Sequence, residues 1–537
     1  MVTRIQADMD LRIDEPGRIP GSRGTKLAAL LSDISPVQSS GNTETEVAAL
    51  AYNSRQVTPA SAFFAIRGEK TDGNLFILDA IERGATAIIS EMPRPWDASW
   101  SDIFERAGKV PERHTVPSEI VWVQVRDARK ALAAASASFY HRPADALNLV
   151  GVTGTNGKTT TSYLVDSILR AAGRTTGLFG TIAYRTPRAT SAASTTTPES
   201  LDLQRFLGEV RDAGGSAAVM EASSHALAMD RLWGLHFAVA IFTNLTRDHF
   251  DYHKTFDDYF AAKRRLFEGT GANRADVGVV NSDDPYGKKL VGAAARTLTY
   301  GLTNGAQIIA RSYELGFHGL HFTAQTPAGK IEIRSSLVGR INIYNILAAI
   351  GAGVALEIPL DVIADGIAMI ANVPGRFERV DCGQPFLVIV DYAHTDDALR
   401  NLLATAKELG RGGRIITLFG CGGDRDRAKR PMMGEAAGRA SDFVVLTSDN
   451  PRSEDPLLIM NDAMVGLQRT RTSYRMESER EKAIAIALDE ARAGDIVLLA
   501  GKGHETSQVL KDRTLDFDDR EVARRLLHDR GYMAEPK

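Results

Sequence analysis

A glycine-rich loop between a predicted strand and a predicted helix constrains the fold of this chain more than any other feature. Residues 147–153 form an apolar run typical of a buried strand, and the helical pattern of residues 158–172 ends at Gly173. Between them lies Gly-Val-Thr-Gly-Thr-Asn-Gly-Lys-Thr-Thr, residues 151–160. In this arrangement backbone N–H groups and a helix N-terminus bind phosphate oxygens. The loop therefore predicts an open, mostly parallel sheet with a phosphate site at its edge.

Lys158 and Thr159 carry the chemistry of this loop. Lys158 would neutralise a transferred phosphate, and the Thr159 hydroxyl would hold Mg²⁺. Val152 stands where the generic pattern has its first Gly, so a glycine-rich turn without a ligand is the alternative. The strand, the Lys-Thr pair and the helix together favour a phosphate loop. We therefore predict ATP and Mg²⁺ as cofactors, with nucleotide contacts from Gly154, Thr155, Asn156, Gly157, Lys158, Thr159 and Thr160.

Alternating strand and helix patterns divide the chain into three α/β units. Its 537 residues are enough for several domains, and 44% apolar with 24% charged residues is ordinary for a soluble globular protein. A hinge is expected at Val373-Pro374-Gly375. The predicted divisions are a flexible tail over residues 1–40, a small α/β domain over 41–146, a central phosphate-loop domain over 147–374 and a Rossmann-like domain over 375–537.

Charge and cysteine content exclude several classes of protein. Lys and Arg number 64 against 67 Asp and Glu, a net charge of −3, which gives no argument for nucleic acid or an acidic membrane as partner. Cys382 and Cys421 are the two cysteines, so there is no disulfide framework and a reducing compartment is favoured. The first twenty residues lack the apolar segment of a signal peptide, and no apolar run approaches the roughly 18 residues of a membrane span. We expect a cytoplasmic monomer that binds neither nucleic acid nor membrane.

Two more polar motifs follow predicted strands of the central unit. Glu221, in Glu-Ala-Ser-Ser-His, could reach the metal of a nucleotide, and an acid beside a helix-capping serine is the alternative. His249 and His253 have the i, i+4 spacing of a zinc site but lack the Glu and helical context of H-E-x-x-H, which leaves a zinc hydrolase as the weaker alternative. Lys263, taken by itself, is expected to be a surface lysine.

Three polar loops follow predicted strands of the third unit, at residues 420–427, 447–452 and 500–505. Each loop alone is typical of a turn with solvated charges. Together, at consecutive strand ends and with an Arg in two of them, they favour a carboxylate-binding pocket. The reason is that an Arg side chain can grip a carboxylate with two parallel hydrogen bonds.

These motifs together resemble the Mur ligase family, from about Asn53 to the C-terminus. The resemblance rests on residues 153–160, Asp248-His249, the helix around Lys263, and Asp449-Asn450-Pro451-Arg452. It implies a UDP-binding, an ATP-binding and an amino-acid-binding domain. It also implies a peptidoglycan-synthesis ligase that adds meso-diaminopimelate to the D-glutamate side chain of UDP-N-acetylmuramoyl-L-alanyl-D-glutamate through an acyl phosphate. Asp-Asn-Pro-Arg is the form associated with diaminopimelate, whose distal carboxylate the Arg can pair.

The resemblance also implies roles for individual residues. Lys263 matches a carbamylated lysine, and a carbamate would bind Mg²⁺ where an ammonium would repel it. The implied catalytic residues are Lys158, Lys263, His249 and Glu221, and the implied metal site is Thr159, Glu221, His249 and the Lys263 carbamate. Further implied contacts are Asn345, Arg376 and Asp391 to the nucleotide; Ser54, Glu69, Lys70, Thr71, Thr196, Thr197, Ser223 and Arg231 to the UDP substrate; and Arg425, Asp449, Asn450, Pro451, Arg452, Gly501 and Glu505 to diaminopimelate. The chain departs from the family pattern at Asn53, Met229 and Asp396, where Asp, a polar residue and Pro are usual.

Three alternatives to this function stay open besides the zinc hydrolase. The same ligation could use L-lysine, or a related scaffold could add glutamate to folate. A phosphate-loop regulatory ATPase would only bind and hydrolyse nucleotide. That last alternative leaves the polar loops of the third unit without a role.

Overall fold

Three separate β-sheets organise the described part of the chain, which in this computed structural model is residues 24–68, 71–94, 116–248, 250, 252–316, 319–410 and 412–533. The sheets follow one another along the sequence, with helices between their strands. The predicted α/β class, the mostly parallel central sheet and the three-unit order are therefore confirmed.

The N-terminal unit has five strands in the order β2-β7-β6-β5-β4, parallel except for β2, and a separate β1-β3 pair. The prediction of a flexible tail over residues 1–40 is wrong for residues 24–40. Leu27 and Leu30 are buried in the core of this unit, and β2 extends its sheet. The elements are β1 Thr25–Lys26, α1 Leu27–Leu30, β2 Gln38–Ser40, β3 Glu46–Val47, β4 Ala49–Ala51, β5 Ser61–Ala65, α2 Ile77–Glu82, β6 Ala85–Ser90, β7 Val121–Gln124 and α3 Ala128–Phe139, with 3₁₀ turns at Ser54–Gln56, Gly73–Phe76 and Pro143–Ala146.

The central unit is an eleven-stranded sheet in the order β11-β10-β9-β12-β8-β13-β14-β15-β16-β17-β18. Strands β9 to β16 in this order pair in parallel, while β10, β11, β17 and β18 are antiparallel. The elements are β8 Asn148–Thr153, α4 Lys158–Ala171, β9 Thr176–Phe179, β10 Ala183–Arg185, β11 Thr190–Ala192, α5 Ser200–Asp212, β12 Ala217–Glu221, α6 Ser224–Ala228, β13 Val239–Phe242, α7 Phe256–Glu268, β14 Val277–Asn281, α8 Pro285–Lys288, β15 Arg296–Gly301, β16 Ile308–Gly316, β17 Gly319–Thr326, β18 Gly329–Ser335, α9 Arg340–Ala355 and α10 Leu360–Ala368.

Apolar residues on both faces of β8 explain why this strand is central. Val150 and Val152 join the core on the face covered by α4, α9 and α10, and Leu149 joins the core on the opposite face with α5 and α7. Burial on both faces is the condition under which parallel strands read as continuous apolar runs. β8 lies between β12 and β13. The chain connections diverge at its carboxyl end, which is where ligands usually bind in such sheets.

The C-terminal unit is a six-stranded sheet in the order β19-β20-β24-β21-β22-β23, parallel except for β19. The predicted hinge is a tight turn in which Gly375 has φ +64° and packs against the Gly503-His504 backbone. The elements are β19 Glu378–Val380, β20 Leu387–Asp391, α11 Asp396–Leu409, β21 Ile415–Cys421, α12 Lys429–Ala440, β22 Phe443–Ser448, α13 Pro456–Leu467, β23 Ser473–Glu477, α14 Arg480–Glu490, β24 Ile496–Ala500, β25 Ser507–Val509, β26 Thr514–Asp516 and α15 Asp519–Asp529. None of the helices in the described segments has the length and apolar content needed to cross a membrane.

Candidate active site

A cleft of about 1090 Å³ lies between the central and C-terminal units, at the carboxyl ends of their strands. It brings together most of the residues singled out in the sequence. The predicted residues that line it are Thr155, Asn156, Gly157, Lys158, Thr159, Thr160, Thr196, Glu221, Ser223, Arg231, Lys263, Asn345, Arg376, Asp391, Arg425, Asp449, Asn450, Arg452, Gly501 and Glu505.

The phosphate loop is held against the end of β13. The Thr155 N–H donates to the Asn244 carbonyl at 2.8 Å, and the Asn156 N–H donates to the Asn244 side-chain oxygen at 3.0 Å. Gly154 has φ +147°, and a Cβ there would lie 1.9 Å from the Thr243 hydroxyl. Only glycine fits this position, so the sequence of the loop fixes its close approach to β13.

Two lysine side chains meet beneath this loop. Lys158 Nζ donates to the carbonyls of Gly154 and Thr155, both at 2.9 Å, and Lys263 Nζ donates to the Gly154 carbonyl at 2.8 Å. Lys263 also lies 4.4 Å from the centre of the Tyr259 ring. Its exposed fraction is 1%, so the prediction of a surface lysine is wrong. The helix pattern alone could not show which face of α7 packs on the sheet.

Burial lowers the pKa of both ammonium groups. For Lys158, the carboxylates of Glu221 and Asp248 partly offset that effect. The pKa of Lys263 falls well below its ordinary value because burial and the nearby Lys158 charge both act on it, with Asp248 opposing them. Lys263 is therefore the amine in this cleft that is most readily present without its proton.

The Glu221 carboxylate closes the other side of the loop. It is 1% exposed and accepts hydrogen bonds from the Thr159 hydroxyl at 3.1 Å and from the hydroxyl and N–H of Thr181 at 3.0 and 2.9 Å. Ser223 caps α6 through the Ala226 N–H, so the capping role suggested by the sequence belongs to Ser223. Thr181 has no signal in the sequence and was missed, because its turn reaches Glu221 only through sheet pairing.

The donor set on this side fits a hard divalent cation. A buried carboxylate and a threonine hydroxyl are oxygen ligands of the kind Mg²⁺ takes, and a carbamate on Lys263 would add a second anion. Within the segments described above, no three His, Cys, Asp or Glu side chains are grouped to hold a metal ion. His249, which the resemblance includes in the metal site, lies outside those segments.

Three predicted nucleotide contacts lie around the loop. The Asn345 side chain receives a hydrogen bond from the Thr161 hydroxyl at 3.4 Å, and its oxygen is close to Gly157. Arg376 donates to the Thr159 hydroxyl at 3.0 Å. Asp391 accepts from two backbone N–H groups, and burial raises the pKa of its carboxyl.

The C-terminal wall presents arginines without carboxylate partners. Arg452 has φ +53°, an uncommon backbone conformation for a non-glycine residue, and its Nη1 donates to the Gly423 carbonyl at 2.7 Å. Neither Arg452 nor Arg425 forms an ion pair with any residue in the described parts of the chain. Guanidinium groups held in this way are ready for an incoming carboxylate.

Asn450 and Glu505 form the polar base of this wall. The Asn450 amide donates to the Glu505 carboxylate at 2.9 Å, and the buried Lys502 ammonium donates to the same carboxylate at 3.0 Å. Beneath them lies the fully buried Arg480–Asp519 ion pair. Arg480 also donates to the backbone carbonyls of Ser448 at 3.3 Å and Ala500 at 3.0 Å, the last residues of β22 and β24. Sequence reasoning missed this pair, which fixes the loops after β22 and β24 relative to each other.

Several predicted residues do not line the cleft. Ser54 is buried in the N-terminal unit and Thr71 lies in a loop of that unit, and neither is among the residues that line the cleft. Thr197 is buried beneath the cleft, where its hydroxyl donates to the Glu221 carbonyl at 2.7 Å. Gly154 and Pro451 are not among the residues that line the cleft; the Gly154 carbonyl accepts from the two lysines, and the Pro451 carbonyl packs against Gly423. Glu69 and Lys70 lie outside the described residues.

Three segments of the chain match descriptions of Mur ligase domains. Residues 46–140 match the Mur ligase family catalytic domain, 152–353 the Mur ligase middle domain and 375–503 the Mur ligase glutamate ligase domain. The chain is 54% identical over 490 residues to the UDP-N-acetylmuramoyl-L-alanyl-D-glutamate--2,6-diaminopimelate ligase of Solibacter usitatus strain Ellin6076, covering 91% of this chain and 95% of the relative.

The chain belongs to the Mur ligase family. A second ligase of the same name, from Geobacter metallireducens, is 44% identical to this Mur ligase over 519 residues, covering 92% of this chain and 97% of the relative. A solved structure of that name is 29% identical with a TM-score of 0.63, over 95% of this chain and all of the other. MurF ligase from Thermotoga maritima, solved in complex with ADP, is 18% identical with a TM-score of 0.60, over 90% of this chain and 98% of that one, and shows a shared fold.

Membership of the Mur ligases confirms the resemblance stated from the motifs. It also argues against a regulatory ATPase that only binds and hydrolyses nucleotide, since the matched glutamate ligase domain contains the polar loops at 420–427 and 447–452 and the start of the third loop, residues 500–503. Burial raises the pKa of the thiol of Cys421, the last residue of β21, to about 12, which argues against a nucleophilic role.

Proposed function

We propose that this Mur ligase uses ATP and Mg²⁺ to join meso-diaminopimelate to the D-glutamate side-chain carboxylate of UDP-N-acetylmuramoyl-L-alanyl-D-glutamate, in the cytoplasm. The observation that carries the proposal is the cleft, in which a phosphate loop with the buried Lys263 and the partly buried Lys158 faces arginines that have no carboxylate partner among the described residues. Relatives that bear the name of this activity and match almost the whole chain support it.

The phosphate loop supports the first step, transfer of the γ-phosphoryl group of ATP to an oxygen of the D-glutamate carboxylate. Lys158 would offset charge on the moving group, and Arg376 donates to the Thr159 hydroxyl of the same loop. Thr159, Glu221, His249 and a carbamate on Lys263 would hold Mg²⁺, which when bound neutralises phosphate charge. ADP then leaves, and the carboxylate has become an acyl phosphate.

The environment of Lys263 supports the proposed carbamate. Carbamylation forms a bond between CO₂ and an unprotonated amine, with loss of a proton, and the lowered pKa of this lysine favours that form. The Gly154 carbonyl fixes Nζ next to the phosphate loop. A carbamate there replaces a cation that would repel the metal with an anion that attracts it.

The second step is attack of the diaminopimelate amine on the acyl carbon, after which inorganic phosphate leaves. Arg452 and Arg425 would receive carboxylates of the amino acid, while Asn450, Asp449 and Glu505 supply acceptors for its ammonium group. L-Lysine lacks the distal carboxylate, so its binding would leave an arginine of this wall unpaired. Positioning of both reactants in one cleft is the main contribution of the protein to the rate.

The test is ligation of the UDP-linked dipeptide with a panel of amino acids in the presence of ATP and Mg²⁺. Mass spectrometry of the product identifies the substrate and the bond together. We expect product with meso-diaminopimelate and little with L-lysine or L-glutamate. Product with L-lysine alone would replace the proposed substrate, and ATP hydrolysis without any ligated product would refute the ligase.

A further inference from the structure

One carboxylate of the C-terminal unit contacts two loops of the central unit. Asp397, in the first turn of α11, accepts hydrogen bonds from the Asn156 amide of the phosphate loop and from the Thr246 hydroxyl after β13, both at 2.9 Å. Both bonds reach the same oxygen, Oδ2. Neither the predicted site nor the mechanism above gives this residue a role.

The two loops that Asp397 joins are themselves interlocked. The Thr155 hydroxyl donates to the Thr246 carbonyl at 3.2 Å and accepts from the Thr246 N–H at 3.0 Å. The Thr243 hydroxyl donates to the Asn156 carbonyl at 2.6 Å. The Asp397 carboxylate, which accepts from Asn156 and Thr246, therefore constrains the whole phosphate loop and not one side chain of it.

The contact depends on the seating of α11 against the central unit. Gly339, at the start of α9, has φ +85°, and a Cβ there would lie 2.4 Å from the Thr405 methyl group of α11. This close approach fixes the position of α11, and hence of Asp397, when the two units are docked. The Asp397 bonds are charge-assisted, which makes them the stronger kind of hydrogen bond.

Asp396 provides a natural comparison at the preceding position. Its carboxylate pairs with Arg400 of the same helix at 2.7 Å. Two acidic residues thus begin one helix, and of the two only Asp397 forms a hydrogen bond or ion pair to a described residue of the central unit.

We propose that Asp397 is a positioning residue that sets the phosphate loop for ATP when the C-terminal unit docks. Docking of the C-terminal unit thereby brings the amino-acid pocket to the cleft and orders the nucleotide site in the same movement. The inference rests on the proposed function, since it assigns a role in the same reaction.

The test is a set of variants in the full-length chain: Asp397→Ala, Thr246→Val, the double variant, Asp397→Asn, and Asp396→Ala as the matched control. Removing the Asp397 carboxylate should lower kcat/KM for ATP by about tenfold or more, the scale of hydrogen bonds to a charged group. Thr246→Val should give a smaller loss, because it removes one of the two hydrogen bonds that Asp397 makes to the central unit. The double variant should be little worse than Asp397→Ala, which already removes that bond. Asp397→Asn should recover part of the loss because its amide oxygen still accepts, whereas the KM for diaminopimelate should stay within about twofold.

Several results would overturn the proposal. These are an Asp397→Ala variant within about twofold of wild type, losses that add in the double variant, or an equal loss in Asp396→Ala. A fall in melting temperature with unchanged kcat/KM for ATP would assign Asp397 to stability alone. If the wild-type chain forms no ligated product, the proposed function fails, and the dissociation constant of ADP then tests the inference: it should rise by the same factor in Asp397→Ala and stay unchanged in Asp396→Ala.

Discussion

In the central wall of the cleft, Lys263 and Glu221 are buried and Lys158 is partly buried, and all three hold hydrogen bonds within the protein. In the C-terminal wall, Arg452 binds only backbone carbonyls, and Arg425 has no ion-pair partner in the described part of the chain. The polar groups of the central wall are thus arranged before any ligand binds. In the C-terminal wall, Arg425 and Arg452 have no carboxylate partner among the described residues.

Under the proposed function, this difference separates catalysis from selectivity. Buried, hydrogen-bonded groups cost no reorganisation during the reaction and stabilise charge that develops on a phosphoryl group. Partly exposed arginines gain most of their favourable interaction when a carboxylate arrives, so they discriminate between amino acids. Variants of the central wall should therefore stop turnover, and variants of the C-terminal wall should change substrate binding.

The largest effect is expected for Lys158→Ala. This change removes the cation that the phosphate loop places on the transferred group, so phosphate release in the presence of both cosubstrates should be lost. The exposed Lys288→Ala serves as control and should keep full activity. Undiminished turnover of the Lys158 variant would remove the loop from the mechanism.

Lys263→Ala should be almost inactive but regain activity with added short carboxylates. The added anion would occupy the space of the carbamate and restore a negative group beside the metal. The same carboxylates should give no recovery in Lys158→Ala, because that variant lacks a cation. The rate of product formation against carboxylate concentration measures the effect, and full activity without any additive would refute the carbamate.

Arg452→Ala should weaken diaminopimelate binding by about 2–5 kcal/mol, the scale for truncating one partner of a buried charge pair. The KM for ATP should change little, since the arginine lies on the opposite wall. Arg427→Ala is the matched control, because Arg427 is exposed and already paired with Asp462 at 2.7 Å. An unchanged KM for diaminopimelate in the Arg452 variant would place the pocket elsewhere.

The smallest effect concerns pH and His504 in the C-terminal wall. Burial, followed by the charges of Arg376 and Arg520, lowers the pKa of His504 from 6.5 to about 4. Between pH 6.5 and pH 4 the His504 imidazole is protonated in the unfolded chain but not in the folded chain. The free energy of unfolding therefore decreases as the pH falls through this range, by up to about 3 kcal/mol. Chemical denaturation at several pH values should show a shallower fall for His504→Asn, and identical slopes would contradict the assigned cause.

The motifs predicted the central wall well because backbone geometry dictates their residues. Gly154 has space for no side chain, and Lys158 must begin a helix at the end of a strand. The burial of Lys263 could not be predicted in the same way, since it depends on which face of α7 packs against β8. Without the family resemblance, its sequence context gave a surface lysine.

Contacts between distant segments explain the other misses. Thr181 reaches Glu221, and Asp397 reaches Asn156, only after separate elements have packed together. Residues 24–40 were assigned to a tail because their elements are too short to show a periodicity, although Leu27 and Leu30 bury fully. Short elements and contacts across units leave no local pattern in the sequence.

The central claim, that both walls act on one acyl phosphate, is tested most directly by labelling the D-glutamate side-chain carboxylate of the UDP-linked dipeptide with ¹⁸O. Mass spectrometry of the inorganic phosphate released during ligation reports where the labelled oxygen goes. The account predicts one ¹⁸O atom in each phosphate, because the oxygen that accepts the phosphoryl group leaves with it when the amine attacks. Unlabelled phosphate formed together with ligated product would contradict the account.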